Sequence, residues 1–245
     1  MLEDKGDLGE QALSKAAEVA MTTQLDEAEK LDVNIRTDPV KLVQGQLDSV
    51  KIEGEGLVMK KDLRAEEVKV QTNNIAINPL TAAFGKIELT RPTEAEAQVV
   101  LTEQDLERAF NSDFIRSKLQ NLEVNIEGKP TKIDTSKIEF RLPSESKIAF
   151  NAEIVIQETG ETKQVAFTAV PRMNAGQRIL LEDIQYAEGA EDSPLTAALL
   201  ETAKELLDLS NFELPGMSLR LKNLEVQTGK MILQGQAHIE KFPEA

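Results

Sequence analysis

Strict alternation of apolar and polar residues constrains this chain more than any other feature, because a period of two belongs to strands with one face buried and one face wet. In residues 50–58, Val50, Ile52, Gly54, Gly56 and Val58 alternate with Lys51, Glu53, Glu55 and Leu57. The pattern returns in VKV (68–70), AEAQVVL (95–101), LEVNIEG (122–128), KIEFRL (137–142) and KIAFNAEIVIQE (147–158), where Ile148, Phe150, Ala152, Ile154 and Ile156 share one side. Further strands are expected in KIELTR (86–91), KQVAFTAV, RILLEDIQY and MILQGQAHIEKF. One phrase is nearly repeated. LRAEEVKVQT at 63–72 matches LRLKNLEVQT at 219–228, and LQNLEV at 119–124 echoes both more faintly. Equivalent hairpin strands in one wrapped sheet would explain the two close copies. Strands that follow one another through short turns pair antiparallel, so the expected class is α+β with an antiparallel sheet.

Helical spacing interrupts the strands three times. Leu13, Ala17, Ala20, Gln24, Ala28 and Leu31 form a stripe that predicts a helix over about 8–31. Thr102 as N-cap and Asp105 at N3 open a helix over about 103–119, with Leu106, Ala109, Phe110, Phe114 and Leu119 on one side. Ser193 followed by Pro194 opens a helix over about 194–209, lined by Leu195, Leu199, Thr202, Leu206 and Leu209. No linker separates two units, so residues 1–245 are read as a single domain.

The chemistry-bearing residues are sparse. The chain has no cysteine, which removes disulfides and thiolate chemistry, and one histidine, His238, on the polar side of the last strand. No nucleophile elbow, phosphate loop or dinucleotide glycine pattern is present, since the GEG at 54–56 leads into no helix. The acidic pairs Glu182–Asp183 and Glu191–Asp192 lack the alternating oxygen spacing of a calcium loop. Hence neither catalysis, a cofactor nor a metal is expected. The net charge of −15 argues against nucleic acid and against docking driven by anionic lipid. The basic cluster Lys60, Lys61 and Arg64 is read as a solvated hairpin end. No run approaches the ~20 apolar residues of a membrane span, and the opening MLEDKGDLGE has no signal-peptide pattern. A soluble protein, cytoplasmic or membrane-peripheral, is expected; a periplasmic one would need a signal or anchor ahead of this stretch.

The apolar inventory is aliphatic, with no tryptophan and a single tyrosine. Small residues (Gly54, Gly56, Ala152, Ala169 and the alanines of the first helix) sit where bulky ones would fill space. A curved sheet around a leucine-lined helix would then leave a trough for acyl chains, each methylene being worth ~0.8 kcal/mol on burial. A sealed core is the other outcome open at this level.

The succession SKAAEVAMTTQLDEAEKLDVNI, LVQGQLDSVKIEGEGLVMKKDLRAEEVKVQTNNIAINP and VVLTEQDLERAFNS resembles the cyanobacterial branch of a bacterial family, the LmeA-like phospholipid-binding family. The phrase GQLDSVKIEGEGL, the strand ending in QT and the following INP are its most specific pieces, and AGQRILLEDIQ and LKNLEVQTGKMILQG look like its later strands. The resemblance, from about 8 to 242, implies an elongated, strongly curved antiparallel sheet wrapped around long helices, similar to the tubular lipid-binding proteins. It implies non-catalytic binding, and transfer, of phospholipid or another amphiphile in an apolar groove, with transient membrane contact. The residues expected to face a ligand are Val50, Ile52, Phe150, Ile154, Phe167, Leu195, Leu199 and Leu206. The alternative is a protein-interaction or assembly factor for membrane complexes with a closed core and an acidic docking surface.

Overall fold

The computed structural model describes residues 8–82, 88–174, 176, 178–187, 194–206 and 216–241. Eleven strands within them form two antiparallel sheets. The first takes β1 (Lys30–Arg36), β2 (Gln46–Met59), β3 (Leu63–Ala76), β4 (Thr93–Thr102), β10 (Met217–Gln227) and β11 (Lys230–Ile239) in the order β1-β2-β3-β4-β11-β10. It curls into an open half-barrel. The second is the meander β5 (Leu122–Ile126), β6 (Lys129–Ser144), β7 (Lys147–Ile156), β8 (Thr162–Asn174) and β9 (Arg178–Tyr186). The antiparallel expectation holds, but one wrapped sheet is replaced by two.

Among the described residues the long helices expected at its centre are absent, and the helices are few and short. The stripe over 8–31 yields only α1 (Leu8–Thr22). Two threonines end it, the Thr22 hydroxyl donating to the Glu18 carbonyl (2.8 Å) and the Thr23 hydroxyl to the Ala20 carbonyl (2.7 Å). The chain then runs along the end of β2, where the Asp26 amide donates to the Val58 carbonyl. Leu31, which fitted the helical spacing, instead alternates with Val33 and Ile35 as a strand. On α1 the packed stripe is Leu13, Ala17 and Met21.

The middle helix is two pieces, α4 (Glu103–Asn111) and α5 (Asp113–Lys118). Ser112 between them is extended. Its hydroxyl donates to the Ala109 carbonyl (2.6 Å) and accepts from the Ile115 amide (3.2 Å), so it closes one helix and opens the next. The predicted capping box is present: the Thr102 hydroxyl accepts from the Asp105 amide (3.1 Å), and the Asp105 carboxylate accepts from the Thr102 amide (2.9 Å). The last helix, α6, is Pro194–Leu206; Ser193, Leu209 and the Leu206 side chain lie outside the described residues. KIELTR gives no strand among its described residues, only an isolated bridge from Leu89 to Ile77.

Two short helices join strands at one end of the first sheet, α2 (Pro39–Val43) between β1 and β2, and α3 (Pro79–Ala82) after β3. At the other end β2 turns into β3 through Lys60 and Lys61, both in the left-handed region. The repeated phrase falls on β3 and β10 of the same sheet. Both copies leave the regular ladder at the same offset: Glu66 and Gly56 are skipped in one, Lys222 in the other. The fainter echo leads into β5 of the second sheet.

Helix α4 locks the sheets together. The Arg64 guanidinium on β3 donates to Asp105 (2.8 Å), while Glu103 accepts from the Leu142 amide (2.6 Å) and Glu107 from Arg141 (2.9 Å) on β6. Asn111 exchanges hydrogen bonds with both backbone groups of Ile138. The tip of β10–β11 completes the junction, the Gly229 amide donating to the Leu142 carbonyl (3.0 Å) and the Ser146 amide to the Val226 carbonyl (2.9 Å).

Gly45, just after α2, has φ +73°, and a Cβ there would lie 2.1 Å from the Ile77 carbonyl oxygen. Gly160 has a similar φ of +69° but open space around it. Urea unfolding is expected to show a loss of ~3 kcal/mol or more for Gly45→Ala, against ~1 kcal/mol for Gly160→Ala.

Candidate functional site

Three cross-strand rows line one face of the six-stranded sheet, and nearly every member is apolar. One row is Ile35, Val50, Thr72, Ala95, Ala237 and Leu219. The middle row is Val33, Ile52, Val70, Ala97, Gly235 and Leu221, and the third is Leu31, Gly54, Val68, Val99, Leu233 and Leu224. The opposite face is polar: Gln234 donates to Gln98 (2.9 Å), and His238 lies 2.5 Å from Glu94. This is the pleat expected of a strand wet on one side only.

Among the described residues this apolar face is only partly covered. Helix α1 packs over β1 and β2, burying Val33 and Ile35. Leu89 reaches across, packing against the cluster on β1–β3 and also against Ala95, Ala237 and Ile239 on β4 and β11. Between these covers and the second sheet, Ile52, Val68, Val70, Ala97, Val99 and Leu221 stay half-buried. They form an aliphatic trough floor. Four strand spacings separate Ile52 from Leu221, about 19 Å at ~4.8 Å each.

The trough leads into the second sheet. Leu224 and Leu233 pack against a cluster containing Phe140, Leu142 and Ile148, and Phe150 and Phe167 touch that cluster from the other side. Phe110 of α4 stacks on Phe140 (5.1 Å between centroids), and Phe150 lies 5.4 Å from Phe167.

The eight residues expected to face a ligand are therefore not gathered on one wall. Val50 and Ile52 belong to the trough of the first sheet. Ile154 and Leu195 are buried in the core between the second sheet and α6; Phe150, Phe167 and Leu199 pack against that core and are partly accessible. Leu206 belongs to α6, with its side chain outside the described residues. Val68, Val70, Ala97, Val99 and Leu221 share this half-buried face and are not among the eight; their alternation was visible, their partial exposure was not.

Small residues also act differently from expectation. Ala152 and Ala169 are buried in packed clusters. The space beside Gly54 is taken by the Leu57 side chain and that beside Gly56 by Glu29. In the middle row Ala97 is half-buried, whereas a Cβ at Gly235 would lie 3.0 Å from the Arg220 carbonyl oxygen. A separate hollow of about 410 Å³ lies over the second sheet. Glu139, Arg141, Ala149, Asn151, Ala166, Thr168 and Gln185, in register across β6–β9 on the side away from the core, line it together with Phe150, Phe167 and Tyr186.

The strongest charge cluster is structural in its geometry. Arg64 donates to Glu29 (2.9 Å), Asp105 (2.8 Å) and Glu66 (2.8 Å), and these bonds, Glu29 first, raise its pKa above the ordinary arginine value. Asp105 is the buried member, its side chain 4% exposed. No group of three or more His, Cys, Asp or Glu able to hold a metal occurs among the described residues. None of their helices is long and apolar enough to cross a membrane.

A family model described as LmeA-like phospholipid-binding matches residues 4–236. No curated protein and no solved structure matches the chain.

The two apolar surfaces should respond differently to mutation. Phe150→Ala is expected to cost ~3–4 kcal/mol in urea unfolding, as a core truncation does. Val70→Thr, on the half-open floor, is expected to cost under ~1 kcal/mol. Equal losses at the two positions would mean that the floor is packed core.

Proposed function

Because the chain belongs to the LmeA-like phospholipid-binding family, we propose that it binds a phospholipid, or another amphiphile with acyl chains, along the apolar face of its six-stranded sheet. The observation that carries this reading is the middle row Ile52–Val70–Ala97–Gly235–Leu221, apolar throughout yet only partly buried. Water in contact with such a floor is costly, and covering ten methylenes of a lipid tail there would yield ~8 kcal/mol before ordering costs. Val50, Ile52, Val68, Val70, Ala97 and Val99 are the proposed lining, with Leu224 and Leu233 leading the tail toward Phe167.

The role is non-catalytic: the chain holds its ligand by burial, and an open trough lets the ligand leave as it entered, which suits carriage between membranes. The polar outer face and the net charge of −15 keep the loaded carrier dissolved. The assembly-factor alternative would need this face to be covered by a protein.

Ala97 gives the test, since its neighbours leave it half-exposed and a larger side chain there would fill the trough rather than the core. Native mass spectrometry of wild type is expected to show bound phospholipid, and Ala97→Trp is expected to lose it with an unchanged melting temperature. Wild type that carries no lipid and takes up none from vesicles would refute the reading. Lipid retained in full by Ala97→Trp would move the site elsewhere, with the hollow beside Phe150 and Phe167 next in line.

A further inference from the structure

Among the described residues, the three most exposed large apolar side chains lie on one tip of the molecule. They are Val43 (79% exposed) and Val40 (66%) on α2 and Leu80 (75%) on α3. The two short helices are built alike. Asp38 precedes Pro39 and Asn78 precedes Pro79, and each acidic or amide side chain accepts from the amide of the residue after the proline, Val40 at 2.8 Å and Leu80 at 3.0 Å. Val40 and Leu80 thus hold equivalent positions, turned outward by equivalent caps.

The helices are fixed side by side. The Ile77 amide donates to the Gly45 carbonyl at 2.7 Å, and Gly45 approaches Pro79 so closely that a Cβ would lie 2.9 Å from its ring. Beneath the tip, Leu42, Ile77 and Leu89 pack into the cluster that also holds Val50 and Ile52. The tip and the end of the trough therefore rest on one apolar cluster. Among the described residues of the two helices and their caps, the charges are engaged: Lys41 pairs with Asp48 at 2.6 Å, and Asp38 caps α2.

An exposed apolar patch at one end of a sheet is a contact surface whose partner must be identified by chemistry. Here the family is phospholipid-binding, the patch and the end of the proposed trough rest on one apolar cluster, and no free cation of α2 or α3 serves an anionic partner. A chain of net charge −15 is repelled by anionic headgroups. We propose that the α2–α3 tip docks into the interface of a zwitterionic phospholipid bilayer, seating Val40, Val43 and Leu80 among the acyl chains and setting the end of the trough against the membrane. This rests on the lipid-binding reading above.

The chain has no tryptophan, so one introduced by substitution reports alone. Val43→Trp is expected to shift to the blue and to be quenched by phosphatidylcholine vesicles with brominated chains, while Gln164→Trp, exposed on β8, is expected to do neither. The triple variant Val40→Asp, Val43→Asp, Leu80→Asp is expected to float with phosphatidylcholine vesicles at least about tenfold more weakly than wild type. Added phosphatidylglycerol should weaken wild-type flotation at low salt. Binding of dihexanoylphosphatidylcholine below its critical micelle concentration should be the same in the triple variant and wild type, because the trough is untouched. The proposal is overturned if Val43→Trp and Gln164→Trp respond alike, or if the triple variant floats as wild type does. It is also overturned if wild type ignores vesicles and dimerises through the tip in a way the triple variant abolishes. Wild type that floats through the tip but binds no monomeric lipid would keep the docking and sink the trough instead.

Discussion

Two amphipathic sheets and little helix with which to cover them are the constraint from which the rest follows. The strands of the first sheet place most of their apolar residues on one side, and those of the second sheet do the same. Each such face gains about 25 cal/mol per Å² by leaving water, so the short helices and the sheets compete to cover one another. The second sheet is served first: α4, α6 and the tip of β10–β11 close over it and give buried side chains such as Ile133, Leu142 and Ile154. What remains for the first sheet is α1 at one side and Leu89 near one end. Its central floor is left half-dressed, and that shortage is what makes room for a ligand in the proposed function.

The nine-residue helix α4, together with the tip of β10–β11, holds the junction between the sheets. Its first turn is fixed by Thr102 and Asp105, and the same Asp105 carboxylate receives Arg64 from β3. Breaking that pair would leave a buried carboxylate without its cation, a more costly defect than loss of a surface ion pair. The other charged contacts of α4, Glu103 and Glu107 with Arg141 and Arg108 with Asp62, are partly exposed and contribute orientation more than stability. The stacked Phe110 and Phe140 add apolar contact beneath them.

Much of this architecture was legible in the residues. Alternation located most strands, and the Thr102–Asp105 spacing placed the start of α4. What misled was periodicity at the borders of elements. Ala28 and Leu31 fit a helical stripe, yet Leu31 also fits the strand Leu31–Val33–Ile35, and the backbone hydrogen bonds available beside β2 decide for the strand. Ser112 is an acceptable helix residue by composition, and only its buried position between two carbonyl-rich turns makes it a cap. The candidate site was harder. A lining residue and a core residue have the same local pattern; Ile52 and Ile154 are each isoleucines in alternating strands. They differ in what packs against them, leaving Ile52 half-buried and Ile154 buried beside α6, and no local sequence pattern encodes that neighbour. Small residues carry the same ambiguity, since Ala152 is buried in a packed cluster and Ala97 is only half-buried.

The free edge of β1 is the outermost rim of the six-stranded sheet, and α1 does more there than supply apolar contacts. The Ser14 hydroxyl accepts from the Ile35 amide at 2.9 Å, and the Glu10 carboxylate accepts from the Thr37 amide at 2.8 Å. These side chains occupy backbone donors that an incoming strand would otherwise use. A chain shorn of its first helix would present an aliphatic margin with unsatisfied backbone donors, the kind of edge on which another strand can pair. The fifteen-residue helix thus also shields the rim of the sheet.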